Sequence, residues 1–91
     1  MNEIRKEKLR IANLVDEIND RGTANLSFDL GARGGINVAV WMYDDNGKLI
    51  DSHFAMGCKR DVTLLDELKA ISKRLVQLHQ EALAQRKQVA A

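Results

Sequence analysis

Ninety-one residues, 45% of them apolar and 30% charged, with a single cysteine, describe one domain, 1–91, with one core layer and exclude a fibrous, low-complexity or disulfide-rich chain. Fourteen basic and thirteen acidic residues leave a net charge of +1, too small to argue for wholesale nucleic-acid binding. No apolar run approaches the roughly 20 residues that span a bilayer, and the opening MNEIRKEKLR lacks the apolar block of a secretory signal, so a cytoplasmic location is expected.

Asn2 can cap a first helix over about 3–21, in which Ile4, Ile11, Leu14, Val15 and Ile18 fall on one arc at helical spacing. Gly22 stops it. Residues 24–30, ANLSFDL, alternate as a half-buried strand does, with Leu26, Phe28 and Leu30 on one side and Asn25, Ser27 and Asp29 on the other. GARGG, residues 31–35, reads as a loop. Residues 36–43 and 48–58 then form a hairpin around the turn DDNG.

Alternation selects the hairpin register. A two-residue Asn46-Gly47 turn would set Tyr43 against Ile50. A three-residue turn, Asp45-Asn46-Gly47 with Gly47 left-handed, pairs Asp44 with Lys48, Met42 with Ile50, Val40 with Ser52 and Val38 with Phe54. Its opposite face then carries Trp41 across from Asp51, Tyr43 across from Leu49, and Ala39 across from His53. Cys58 follows Phe54 and Met56 on the inward face and reads as a small core residue.

A last helix covers about 62–88. Thr63-Leu64-Leu65-Asp66 fits a capping box with Asp in place of Glu, and Leu64, Leu68, Ile71, Leu75, Leu78 and Ala82 step along it in a 4-3-4-3-4 pattern. At 1.5 Å per residue about 25 residues reach roughly 37 Å, against about 27 Å for an eight-residue strand. The helix therefore overhangs its sheet. Leu75, Leu78, Ala82 and Leu83 are the candidate dimer contacts there.

The expected fold is a two-layer α+β domain, α-β-β-β-α, with a three-stranded antiparallel meander and two helices on one face. Such a domain leaves the other sheet face open. Trp41, Tyr43, Leu49 and His53 cluster on that face, with Asp51 and Asn37 beside them, and aromatic side chains of this kind are enriched at binding hot spots. A second candidate lies where both helices start: Arg5, Lys6, Arg33, Lys59 and Arg60 converge at the end that also holds the GARGG loop, an arrangement suited to an anion such as phosphate.

The order α-β-β-β-α, with the loop between the first two strands and the start of the second helix on one side, resembles the topology of the double-stranded RNA-binding domain. That resemblance implies RNA contacts along the helix around Arg5 to Arg10, at Arg33, and at Lys59 and Arg60. The family's Gly-Pro-x-His loop is absent, since the chain has no proline, and CKRDVTLLDE stands where the family carries a lysine-rich helix start.

No nucleophile and base stand at a catalytic spacing. His53, His79 and Cys58 lack metal-ligand spacing, and aligning Gly47 with the glycine of a calcium loop puts Met42 and His53 at its end ligands. The expectation is a non-enzymatic protein-binding module without cofactor, metal or small-molecule substrate. It is expected to act as a stand-alone regulator or inhibitor of the sort carried by bacterial viruses and mobile elements, with another protein or a second copy as partner. The alternative is a nucleic-acid binder working through the basic end.

Overall fold

A computed structural model describes residues 3–31, 37–57 and 63–90, the side chains of 86–90 excepted. The elements are α1 (Glu3–Arg21), β1 (Asn25–Leu30), β2 (Val38–Tyr43), β3 (Leu49–Ala55) and α2 (Leu64–Ala90). They form an α+β fold in which the three strands make one antiparallel sheet in the order β1-β2-β3. Among the described residues no helix is long and apolar enough to cross a membrane.

The amphipathic arcs meet as their spacing requires. Ile11, Val15 and Ile18 of α1 and Leu68, Ile71 and Leu75 of α2 are buried with Val38, Val40 and Ala55 of the sheet, while Ile4, Leu14, Leu26, Phe28 and Leu64 pack around them. Each fully buried aliphatic side chain contributes about 1.5 to 3 kcal/mol. Leu75 thus belongs to the core at 2% exposure and is not free for the dimer contact expected of it. Leu78, Ala82 and Leu83, farther along α2, stay half-buried.

Local chemistry sets the end of α1 and the start of α2. Gly22 closes α1 at φ 68°, with Gly22 N donating to Asn19 O and Thr23 N to Ile18 O, the paired bonds of a Schellman motif. At the start of α2 the Thr63 hydroxyl accepts from Asp66 N at 3.2 Å, the cap expected of it. Asn2, expected to cap α1, lies outside the described residues, as does Cys58.

The hairpin turn forms as alternation predicts. Gly47 is left-handed at φ 82°, Gly47 N bonds Asp44 O, and Asp44 N bonds Lys48 O; Tyr43 pairs with Leu49. Beyond it the register departs from expectation. An irregularity between Met42 and Tyr43 skips Ile50, so that Met42 pairs with Asp51, Trp41 with Ser52, Val40 with His53, Ala39 with Phe54 and Val38 with Ala55. This bulge moves each later β3 side chain to the other face. Fully buried Ala55, small enough to lie beneath the helices beside Val38, takes the inward place expected for Phe54; Phe54 and Met56 are each 41% exposed and Ile50 is 55% exposed.

Residue pairs across the helices set their direction. Ser72 donates to Glu7 near the start of α1, and His79 approaches Glu17 near its end, so α1 and α2 run parallel. Both begin at the same end of the sheet. With 27 residues and 1.5 Å of rise each, α2 outruns the strands at the opposite end.

Candidate functional site

The sheet face away from the helices carries side chains from alternate positions of each strand. Ladder partners share a face, so the residues opposite buried Val38 and Val40 point to the helices, and those between them point away. The open face therefore holds Ser27 and Asp29 of β1, Ala39, Trp41 and Tyr43 of β2, and Leu49, Ser52 and Phe54 of β3. Trp41 and Tyr43 are half-buried and Leu49 is exposed. The Trp41 and Phe54 rings meet edge to face, with centroids 6.0 Å apart and planes at 77°, the arrangement that aromatic quadrupoles favour.

His53 does not join this cluster, contrary to expectation. Paired with Val40, it lies on the helix side of β3, where its Nε2 is 3.1 Å from Asp51 Oδ2. Asp51 Oδ1 accepts from Ser52 N at 2.9 Å. Phe54 holds the open-face place instead. Unbroken alternation through Ile50 hides Phe54 in the sequence; the adjacent apolar pair Leu49-Ile50 is the signal that the phase changes there. Asn37, expected beside the aromatic cluster, donates its side-chain amide to Met56 O and its backbone N–H to Ala55 O.

At the end where the helices start, Arg5 and Lys6 are exposed on α1, and Lys6 lies 3.7 Å from Glu3. Arg33, Lys59 and Arg60, expected to converge with them, lie outside the described residues. A different basic group is present. Arg10, Lys69 and Lys73 line a cleft of about 370 Å³ between the outer sides of α1 and α2, together with Glu7, Ser72 and Val76. Glu7 is its buried floor, accepting from Ser72 Oγ at 3.0 Å and from Arg10 Nη1 at 3.4 Å.

His79 is also buried, with Nδ1 2.8 Å from Thr23 Oγ1, a structural tie between α2 and the end of α1. Among the described residues no group of three or more His, Cys, Asp or Glu could hold a metal ion. No family model, curated protein or solved structure matches the chain.

Proposed function

We propose that the chain is a small non-enzymatic protein-binding module, a stand-alone regulator or inhibitor that covers a surface of another protein with its open sheet face. The observation that carries this reading is the apolar patch of Trp41, Tyr43, Leu49 and Phe54 on the side of the sheet away from α1 and α2, with Trp41 and Phe54 in ring contact. Rigid aromatic side chains supply contact area at low entropic cost and dominate interface energetics. Ser27, Asp29 and Ser52 supply a polar border of the kind that rims such surfaces.

A photo-reactive residue placed at Tyr43, with a second at Lys73 as control, tests the reading in the cells that make the protein. The Tyr43 probe captures the partner. With that partner purified, Trp41→Ala and Phe54→Ala each weaken binding at least tenfold, about 1.4 kcal/mol. Capture through Lys73 alone, or wild-type affinity in both variants, refutes the assignment.

A nucleic-acid contact is the second reading, supported by the clustering of Arg10, Lys69 and Lys73 along the cleft between the helices. Under it, affinity for duplex RNA or DNA falls steeply with salt, and Lys69→Glu with Lys73→Glu flattens that dependence.

A further inference from the structure

The sheet protects its two edges unequally. On β1 the Asn19 side chain reaches Leu26, accepting from its N–H at 2.8 Å and donating to its carbonyl at 2.9 Å. Those outward bonds fix the phase of the ladder. If Leu26, opposite Met42, bonds outward, then Ala39, Trp41 and Tyr43 of β2 bond to β1, and Val38, Val40 and Met42 bond to Asp51, His53 and Ala55 of β3. The backbone of Ser52 and Phe54 therefore faces away from the sheet, and among the described residues Ser52 N–H is held by the neighbouring Asp51 carboxylate. Leu49 and Phe54 on one side and Ile50 at the bulge are at least 41% exposed. An edge of this kind is a template for a further strand.

Beside it runs an open cleft of about 320 Å³, walled by Ser52 and Phe54 on β3 and by Asp66 and Ala70 on α2. Because α2 runs opposite to β3, Phe54 lies toward Asp66 and Ser52 toward Ala70. Arg74 follows one turn farther on.

We propose that a second copy of this chain docks on this edge, its β3 pairing antiparallel with the first about a two-fold axis through Ser52 and Ala70, to make one six-stranded sheet. Self-complementarity identifies the occupant. A two-fold interface requires residue i to meet j and j to meet i. With Ser52 opposite the partner's Ser52, Asp51 stands opposite the partner's His53, and His53 opposite the partner's Asp51, at cross-strand distance. The neighbouring antiparallel registers fail this test, since an axis at Asp51 sets two carboxylates together and an axis at His53 sets two imidazoles together. The helices agree with the same axis: with exposed, small Ala70 at the crossing, Asp66 faces the partner's Arg74, and Arg74 faces the partner's Asp66. The proposal stands independently of the open-face reading, although it would make the two open faces continuous.

Sedimentation equilibrium, run up to millimolar protein, tests it. The wild type reaches twice 10.2 kDa. Ser52→Pro removes an N–H that makes no bond within the ladder and is tolerated by an edge position; it weakens dimerisation at least tenfold while the circular dichroism of the monomer is kept. His53→Asp does the same by setting carboxylates opposite one another, and the double variant Asp51→His with His53→Asp restores dimerisation to within about threefold. Trp41→Ala leaves the dimer intact. Should Ser52→Pro fail to fold, the charge-swap series decides alone. A wild type that stays monomeric, a His53→Asp protein that dimerises like the wild type, or a double swap that fails to restore the dimer overturns the proposal.

Discussion

Thr23 Oγ1 lies 2.8 Å from His79 Nδ1 and 3.4 Å from the carbonyl of Ile18, so one threonine just past the end of α1 joins that helix end to α2. His79 is 9% exposed. Its other ring nitrogen stands 4.0 Å from Glu17 Oε1. Thr23→Val keeps the side-chain shape and leaves the buried ring nitrogen without its hydroxyl partner, a loss of about 1 to 2 kcal/mol. His79→Ala adds a cavity and costs about 2 to 4 kcal/mol. Urea unfolding of the two variants and their double measures the coupling; strict additivity would mean that the ring only fills space.

Glu7 and Ser72 make the corresponding tie nearer the helix starts. Both are buried, at 8% and 5% exposure, and the hydroxyl donates to the carboxylate at 3.0 Å. Ser72→Ala deprives a buried carboxylate oxygen of a donor and destabilises by about 1 to 3 kcal/mol. Glu7→Gln retains an acceptor oxygen and costs less than Glu7→Ala. Thermal unfolding in a double cycle checks the pairing, and a stability-neutral Ser72→Ala would refute it.

Asn19 acts on β1 as a short substitute strand. Its amide matches the N–H and carbonyl of Leu26 together, a match no carboxylate can make. Asn19→Asp keeps the acceptor but turns an oxygen toward the Leu26 carbonyl. It is therefore at least as destabilising as Asn19→Ala, by about 1 to 2 kcal/mol, and hydrogen exchange at Leu26 rises in both variants. A fully stable Asn19→Asp protein would contradict this account.

Two glycines hold left-handed backbone in different surroundings. Gly47, at φ 82°, has open space where a Cβ would sit, whereas Gly57, at φ 72°, would place its Cβ 3.4 Å from Leu64 Cβ. Gly47→Ala carries the left-handed penalty alone, about 1 to 2 kcal/mol. Gly57→Ala carries the same left-handed penalty, and its Cβ meets Leu64 at ordinary contact distance, so its loss is of the same size as that of Gly47→Ala. A markedly lower midpoint in denaturant for Gly57→Ala would contradict this and point to the bond from Gly57 N to Glu67 Oε2.

The fold was legible wherever one periodicity dominated. Ile11, Val15 and Ile18, the alternation of Leu26 and Phe28, and the steps from Leu68 through Leu75 each mark one buried face, and the Asp45-Asn46-Gly47 turn followed from where the apolar sets had to meet. β3 was different. LIDSHFA offers two incomplete phases, one through Ile50 and Phe54 and one through Leu49 and Ala55, and a bulge uses part of each. The candidate site inherited that ambiguity: Trp41, Tyr43 and Leu49 lie on the open face as read, while His53 and Phe54 exchange faces. The cleft of Arg10, Lys69 and Lys73 was illegible for another reason, because it depends on how two helices distant in sequence lie side by side.

The succession of events in folding follows from those parallel helices. Every strand pairs with its neighbour in the chain, so the sheet zips through short loops, beginning at the Gly47 hairpin. The helix pair instead joins residues 65 and 56 positions apart at Glu7 with Ser72 and Thr23 with His79. Closing so long a loop costs entropy that grows with its length, and contacts of this separation come late. Ser72→Ala and His79→Ala accordingly speed unfolding and leave the refolding rate nearly unchanged, which makes the seam between the two helices the place where the native state first comes apart.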